Sequence, residues 1–78
     1  MLTSDQIRAA RALVRWSAED LAKESGVGLS TIRRIEGAEG VPSASARNLA
    51  LIQDALERAG VQFIDRNGGG PGVRLRTG

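Results

Sequence analysis

The strongest constraint on this chain is the stretch from Ser17 to Gly37, SAEDLAKESGVGLSTIRRIEG, which starts and stops a helix twice in quick succession. Ser17 with an acid three residues on at Asp20 is a helix start signal. Gly26 can adopt the left-handed conformation that ends a helix without steric cost. Only about two turns fit between them. A second helix begins around Gly28, carries Ile32 and Ile35 inward and finishes near Glu36-Gly37. Leu21, Val27, Ile32 and Ile35 supply apolar anchors, and Ala22 is small enough to stand where two helices cross. Any one of these residues would mean little. Together they describe one short helix braced against another, the geometry that lets a helix stand proud of its domain and enter a DNA major groove about 12 Å wide.

The flanking sequence extends the helical pattern. Thr3 caps a first helix with Gln6 in capping-box position and Asp5 at the positive end of the dipole. Ile7, Ala10, Leu13 and Val14 recur at three- and four-residue steps. Trp16 is expected to close this helix and pack in the core, because a base-stacking platform uses several aromatic rings. Gly37 to Ser43 reads as a loop. A longer helix runs from about Ser45 to Ala59, with Leu49, Ile52, Leu56 and Ala59 on one stripe and Gly60 stopping it. The period then changes. Val61 to Asp65 and Val73 to Arg76 read as short strands around an Asn67–Gly72 turn, with Arg74 and Arg76 opposite Val73 and Leu75. The glycine run is not a phosphate cradle, since it leads into neither a helix nor a Lys-Ser/Thr pair. The expected fold is therefore mainly α: a four-helix DNA-binding domain over residues 1–60, then a β-strand extension over 61–78.

Composition removes most other functions. The 78 residues include no Cys and no His, which excludes disulfides, histidine bases and the usual zinc sets. The acids are scattered singly, no nucleophile–base pair is visible, and neither an enzyme nor a cofactor is expected. No apolar run approaches the roughly 20 residues of a membrane span, and the first residues lack a signal-peptide pattern, so a cytoplasmic protein is expected. Eleven basic and nine acidic residues give a net charge of only +2, so affinity for nucleic acid depends on where the basic groups sit.

Residues Ser17 to Gly37 resemble the helix-turn-helix of Cro/phage-repressor-type (XRE-like) transcriptional regulators, with a looser similarity from Ile7 to Ala59. The resemblance implies a lambda-repressor-like fold in which the first helix of the motif lies across the DNA backbone and the second reads bases. By position, Leu29, Ser30, Thr31, Arg33 and Arg34 become the base-reading candidates, with Gly28 as cap and Ser17 and Ala18 facing a phosphate. Family members often have Ser or Thr where Gly28 stands and Gln where Ala18 stands, so two side-chain contacts are missing. The resemblance also implies that Arg11 can pair with Glu36 and fix how the reading helix is presented.

Adjacent helical residues point about 100° apart. One of Arg33 and Arg34 is therefore expected to reach a guanine edge while the other holds phosphate. Leu29 either touches a thymine methyl or packs on the body. Ser43, Arg47 and Asn48 lie where a phosphate could be positioned, although capping is the simpler role for Ser43 or Ser45. Val61, Phe63, Val73 and Leu75 need an apolar surface, because an isolated hairpin is marginal in water. That surface is either the fourth helix of the same chain or a second copy, and a symmetric homodimer is favoured. The leading expectation is a dimeric repressor or autoregulator of transcription bound to double-stranded DNA. The alternative is an antitoxin or adaptor whose strands hold a toxin or other protein partner.

Overall fold

The computed structural model describes residues 2–65 and 69–76. Four helices, α1 (Ser4–Leu13), α2 (Ala18–Ser25), α3 (Leu29–Glu36) and α4 (Ala46–Arg58), precede two strands, β1 (Val61–Ile64) and β2 (Gly72–Leu75). Asn67 and Gly68, part of the expected turn, lie outside the described residues, as do Arg66 and residues 1, 77 and 78.

Local chemistry sets most boundaries. Thr3 Oγ1 accepts the Gln6 backbone N–H (3.1 Å) while Gln6 Oε1 accepts that of Thr3 (2.9 Å), a complete capping box. Ser17 and Asp20 form a second one at the start of α2. Gly26 closes α2 at φ +77°, and Gly60 follows α4 at φ +110°. Ser45 caps α4 by accepting the Asn48 N–H at 3.1 Å.

One boundary differs from expectation. Trp16 does not close α1, which ends at Leu13 with Val14 as its C-cap. Arg15 then turns the chain with φ +60°, the only positive φ at a non-glycine among the described residues, a conformation costing about 1–2 kcal/mol for an L-residue. Trp16 lies beyond the turn, its N–H donating to the Arg11 carbonyl at 2.9 Å. It still packs against the core, half-buried, as expected.

The core draws on every helix. Ile7 and Ala10 of α1, Leu21 of α2, Ile32 and Ile35 of α3, and Ile52, Ala55 and Leu56 of α4 are buried together with Val27 and Val61. The strands form an antiparallel hairpin within the chain, pairing Val61 with Leu75 and Phe63 with Val73. Directly opposed residues share a face, so these four form one apolar face, carried by a hairpin that packs against α1 and α4. Val61 is fully enclosed, Phe63 and Val73 are half-buried, and Leu75 remains 47% exposed. Gln6 fastens the far end: its buried amide donates to the Ile64 and Gly72 carbonyls at 3.3 and 3.0 Å. Helices and hairpin therefore share one core.

Candidate nucleic-acid interface

The helix α3 has two chemically distinct sides. Ile32 and Ile35 are buried, whereas Ser30, Arg33 and Arg34 are exposed and Leu29 and Thr31 half-buried. Its only acid, Glu36, is turned inward. The exposed side chains of α3 are thus a hydroxyl and two guanidinium groups, a local positive face that the small net charge conceals.

The C-terminal end of α3 is held by three side chains of α1. Ser4 Oγ donates to the Ile35 carbonyl at 2.7 Å, Arg8 donates to the Glu36 carbonyl, and Arg11 forks onto the Glu36 carboxylate. The fork is bidentate, Nε to Oε2 at 3.0 Å and Nη2 to Oε1 at 2.9 Å, with side chains 25% and 9% exposed. Arg11 Nη1 also donates to the Trp16 carbonyl at 2.9 Å, so one guanidinium ties α1, the α1–α2 turn and α3 together. The final carbonyls of a helix lack intrahelical partners and carry the negative end of its dipole. A serine and two cations supply what that end requires.

The expected Arg11–Glu36 pair is present in this geometry. Ser4 and Arg8 were not anticipated as its companions. Their signal is the spacing 4, 8, 11, which places all three on one face of α1.

The two arginines of α3 differ in their surroundings. Arg34 Nη1 donates to the Ser43 carbonyl at 2.8 Å, joining α3 to the loop that follows it. The Arg33 side chain makes no hydrogen bond or ion pair among the described residues. Gly28 caps α3 without a side-chain bond, and its N–H groups are left for solvent or a ligand.

At the start of α2, Ser17 is exposed and Ala18 half-buried. Asp20 sits in the same turn, its carboxyl held below the ordinary aspartate range first by the Ser17 backbone N–H and then by the Ser17 hydroxyl. At the start of α4, Arg47 is exposed and Asn48 half-buried. Ser45 takes the capping role, while Ser43 contributes its carbonyl to Arg34.

Arg74 of β2 and Arg76 just beyond it are engaged within the chain, Arg74 with Gln62 Oε1 (2.9 Å) and Arg76 with the Glu57 carbonyl (2.8 Å). Among the described residues there is no cluster of acids suited to a metal ion and no helix long and apolar enough to cross a membrane.

No curated protein matches the chain. A family model described as "Helix-turn-helix" matches residues 7–59, more than half of the chain and all four helices from the body of α1 through α4. With its short braced helix, polar outer face and bonded C-terminal end, the chain belongs to the Cro/C1-type, XRE-like helix-turn-helix family of DNA-binding regulators.

Proposed function

We propose that the protein is a sequence-specific transcriptional repressor or autoregulator that inserts α3 into the major groove of double-stranded DNA. The observation that carries this reading is the division of α3: an inner side fixed by Ile32, Ile35 and Glu36, and an outer side offering Ser30, Arg33 and Arg34. The Ser43 carbonyl supports a division of labour between the arginines. It occupies one N–H of the Arg34 Nη1 group, and among the described residues the Nε–Nη2 fork is left free. A planar fork held in place suits bidentate recognition of guanine O6 and N7. The unpartnered Arg33 suits a phosphate, where charge matters more than orientation. Leu29 and Thr31 complete the base-facing surface, with Gly28, Ser17, Ala18, Ser43, Arg47 and Asn48 along the backbone track.

Two copies would place their reading helices about 34 Å apart, one turn of DNA. In this proposal the homodimer forms through the hairpin. Of Val61, Phe63, Val73 and Leu75, only Leu75 is left largely exposed by its own chain. Selection from random duplex DNA tests both parts at once. The expected product is a near-palindrome with guanine at a position whose preference relaxes in Arg34→Ala. Recovery of unenriched sequence would defeat the proposal.

The hairpin edge favours a second reading, an antitoxin or adaptor that also holds another protein. The Arg76 N–H donates to the Gly60 carbonyl at 2.8 Å, and the register alternates from there. The N–H and C=O groups of Val73 and Leu75 therefore point away from β1, the arrangement an added strand requires. Co-purification of a second protein that Leu75→Glu releases would establish this reading. A homodimer broken by the same change would establish the first.

A further inference from the structure

We infer that Arg15, in the turn between α1 and α2, is a DNA phosphate contact, retained in a backbone conformation that a glycine would adopt without strain. The inference rests on the DNA-binding reading above and adds a residue outside the recognition helix and its expected contacts.

Three observations meet at this position. First, Arg15 has φ +60°, alone among the described non-glycine residues. Its Cβ is a steric burden there, and the two other helix junctions of this kind, at Gly26 and Gly60, use glycine. Second, its side chain gives nothing back to the fold: Arg15 is exposed and makes no side-chain hydrogen bond or ion pair among the described residues. By contrast Arg8, Arg11, Arg34, Arg58, Arg74 and Arg76 each bond within the chain. Third, the turn is rigidly placed relative to α3. The Trp16 N–H bonds the Arg11 carbonyl, and Arg11 in turn bonds both the Trp16 carbonyl and Glu36 at the end of α3. Arg15 is therefore carried on the same bonded unit that presents Arg33 and Arg34.

A free cation in a strained backbone, anchored to the reading helix, has the properties of a ligand contact. Phosphate is the ligand that a flexible, always-charged guanidinium meets when its turn is bonded to the end of a DNA-reading helix.

The test is Arg15→Gly, assayed by fluorescence anisotropy on a random-sequence duplex across a salt series and by thermal melting. Removing strain with the charge moves the two readouts in different directions. The melting temperature is expected to stay level or rise, while affinity falls about three- to tenfold at low salt and the slope of log K against log salt becomes shallower by about 0.9, one phosphate's share. Arg15→Lys keeps the charge and is expected to retain most of the affinity and the slope. Unchanged affinity and slope in Arg15→Gly would overturn the inference while leaving the DNA-binding reading intact. A fall in melting temperature that accounts for the lost affinity would also overturn it, by making Arg15 a structural residue. Failure of the unaltered protein to bind any duplex would defeat both.

Discussion

The two sides of α3 use the same functional group for opposite purposes. At its inner C-terminal end, Arg11 has its guanidinium engaged by Glu36 and Trp16, and Arg8 bonds the final carbonyl. On its outer side, among the described residues, the Arg33 side chain is unpartnered and Arg34 gives up a single N–H. An arginine whose donors are satisfied inside the protein is a strut, and one whose donors are left open is available to a ligand. The position of Glu36 makes the difference. Turned inward, it fixes the struts and leaves no carboxylate within α3 to neutralise the outer pair.

The largest expected effect tests the strut. Glu36→Ala strands a partly buried Arg11 and is expected to cost about 3 kcal/mol, lowering the melting temperature by about 10 °C or more. DNA affinity should fall with it, because α3 loses its bonded end. An unchanged melting temperature in a thermal scan would put the pair on a par with exposed ones such as Arg58–Asp54, whose loss should cost no more than about 0.5 kcal/mol.

Next comes the open fork. Arg34→Ala is expected to leave stability nearly unaltered and to remove about 1–3 kcal/mol of discrimination at one base pair, read by competition between the preferred duplex and its single-base variants. Arg33→Ala should instead weaken binding to all sequences alike and make the salt slope shallower by about 0.9. Identical profiles for the two variants would erase the division between them.

A smaller effect lies at the start of α2. Ser17→Ala removes a cap worth about 1 kcal/mol, measurable by urea unfolding. The Asp20 contribution is pH-dependent. Its folded-state pKa is depressed, chiefly by the Ser17 backbone N–H, so its stabilisation is present above the unfolded aspartate pKa of about 3.9 and is lost as pH falls through the lower folded value. Asp20→Asn should flatten the stability profile in that acid range and leave it parallel to the unaltered protein's near neutrality.

Features written within four residues of one another were readable in the sequence. Both capping boxes, the glycine end of α2 and the buried face of α3 follow from spacing alone. On the expected α4 stripe, by contrast, Ile52 and Leu56 are buried, Leu49 is half-buried and Ala59, past the end of the helix, is exposed. The early end of α1 was not readable, because Arg15 holds a left-handed conformation that no glycine announces. Contacts between distant segments were equally hidden. Ser4 with Ile35, Gln6 with the hairpin carbonyls and Arg34 with Ser43 depend on how helices cross and loops return. Periodicity identifies the face a residue is on, but not which carbonyl will lie opposite it. The Arg11–Glu36 pair was expected because family resemblance carries tertiary information that spacing lacks.

The hairpin illustrates the same limit. Alternation identified its apolar face, yet only the fold shows Val61 enclosed beside α4 and Leu75 left open. That distinction decides which residue a second chain could meet.

The central claim is that the outer side of α3 lies in the major groove. Methylation interference on the duplex recovered by selection tests it most directly, since methylation at guanine N7 alters the major-groove edge and methylation at adenine N3 the minor-groove edge. Guanine N7 methylation at the preferred position is predicted to abolish binding by the unaltered protein and to matter far less to Arg34→Ala, with adenine N3 methylation elsewhere in the site having little effect. Binding indifferent to N7 methylation throughout the site, but blocked by N3 methylation, would contradict the account.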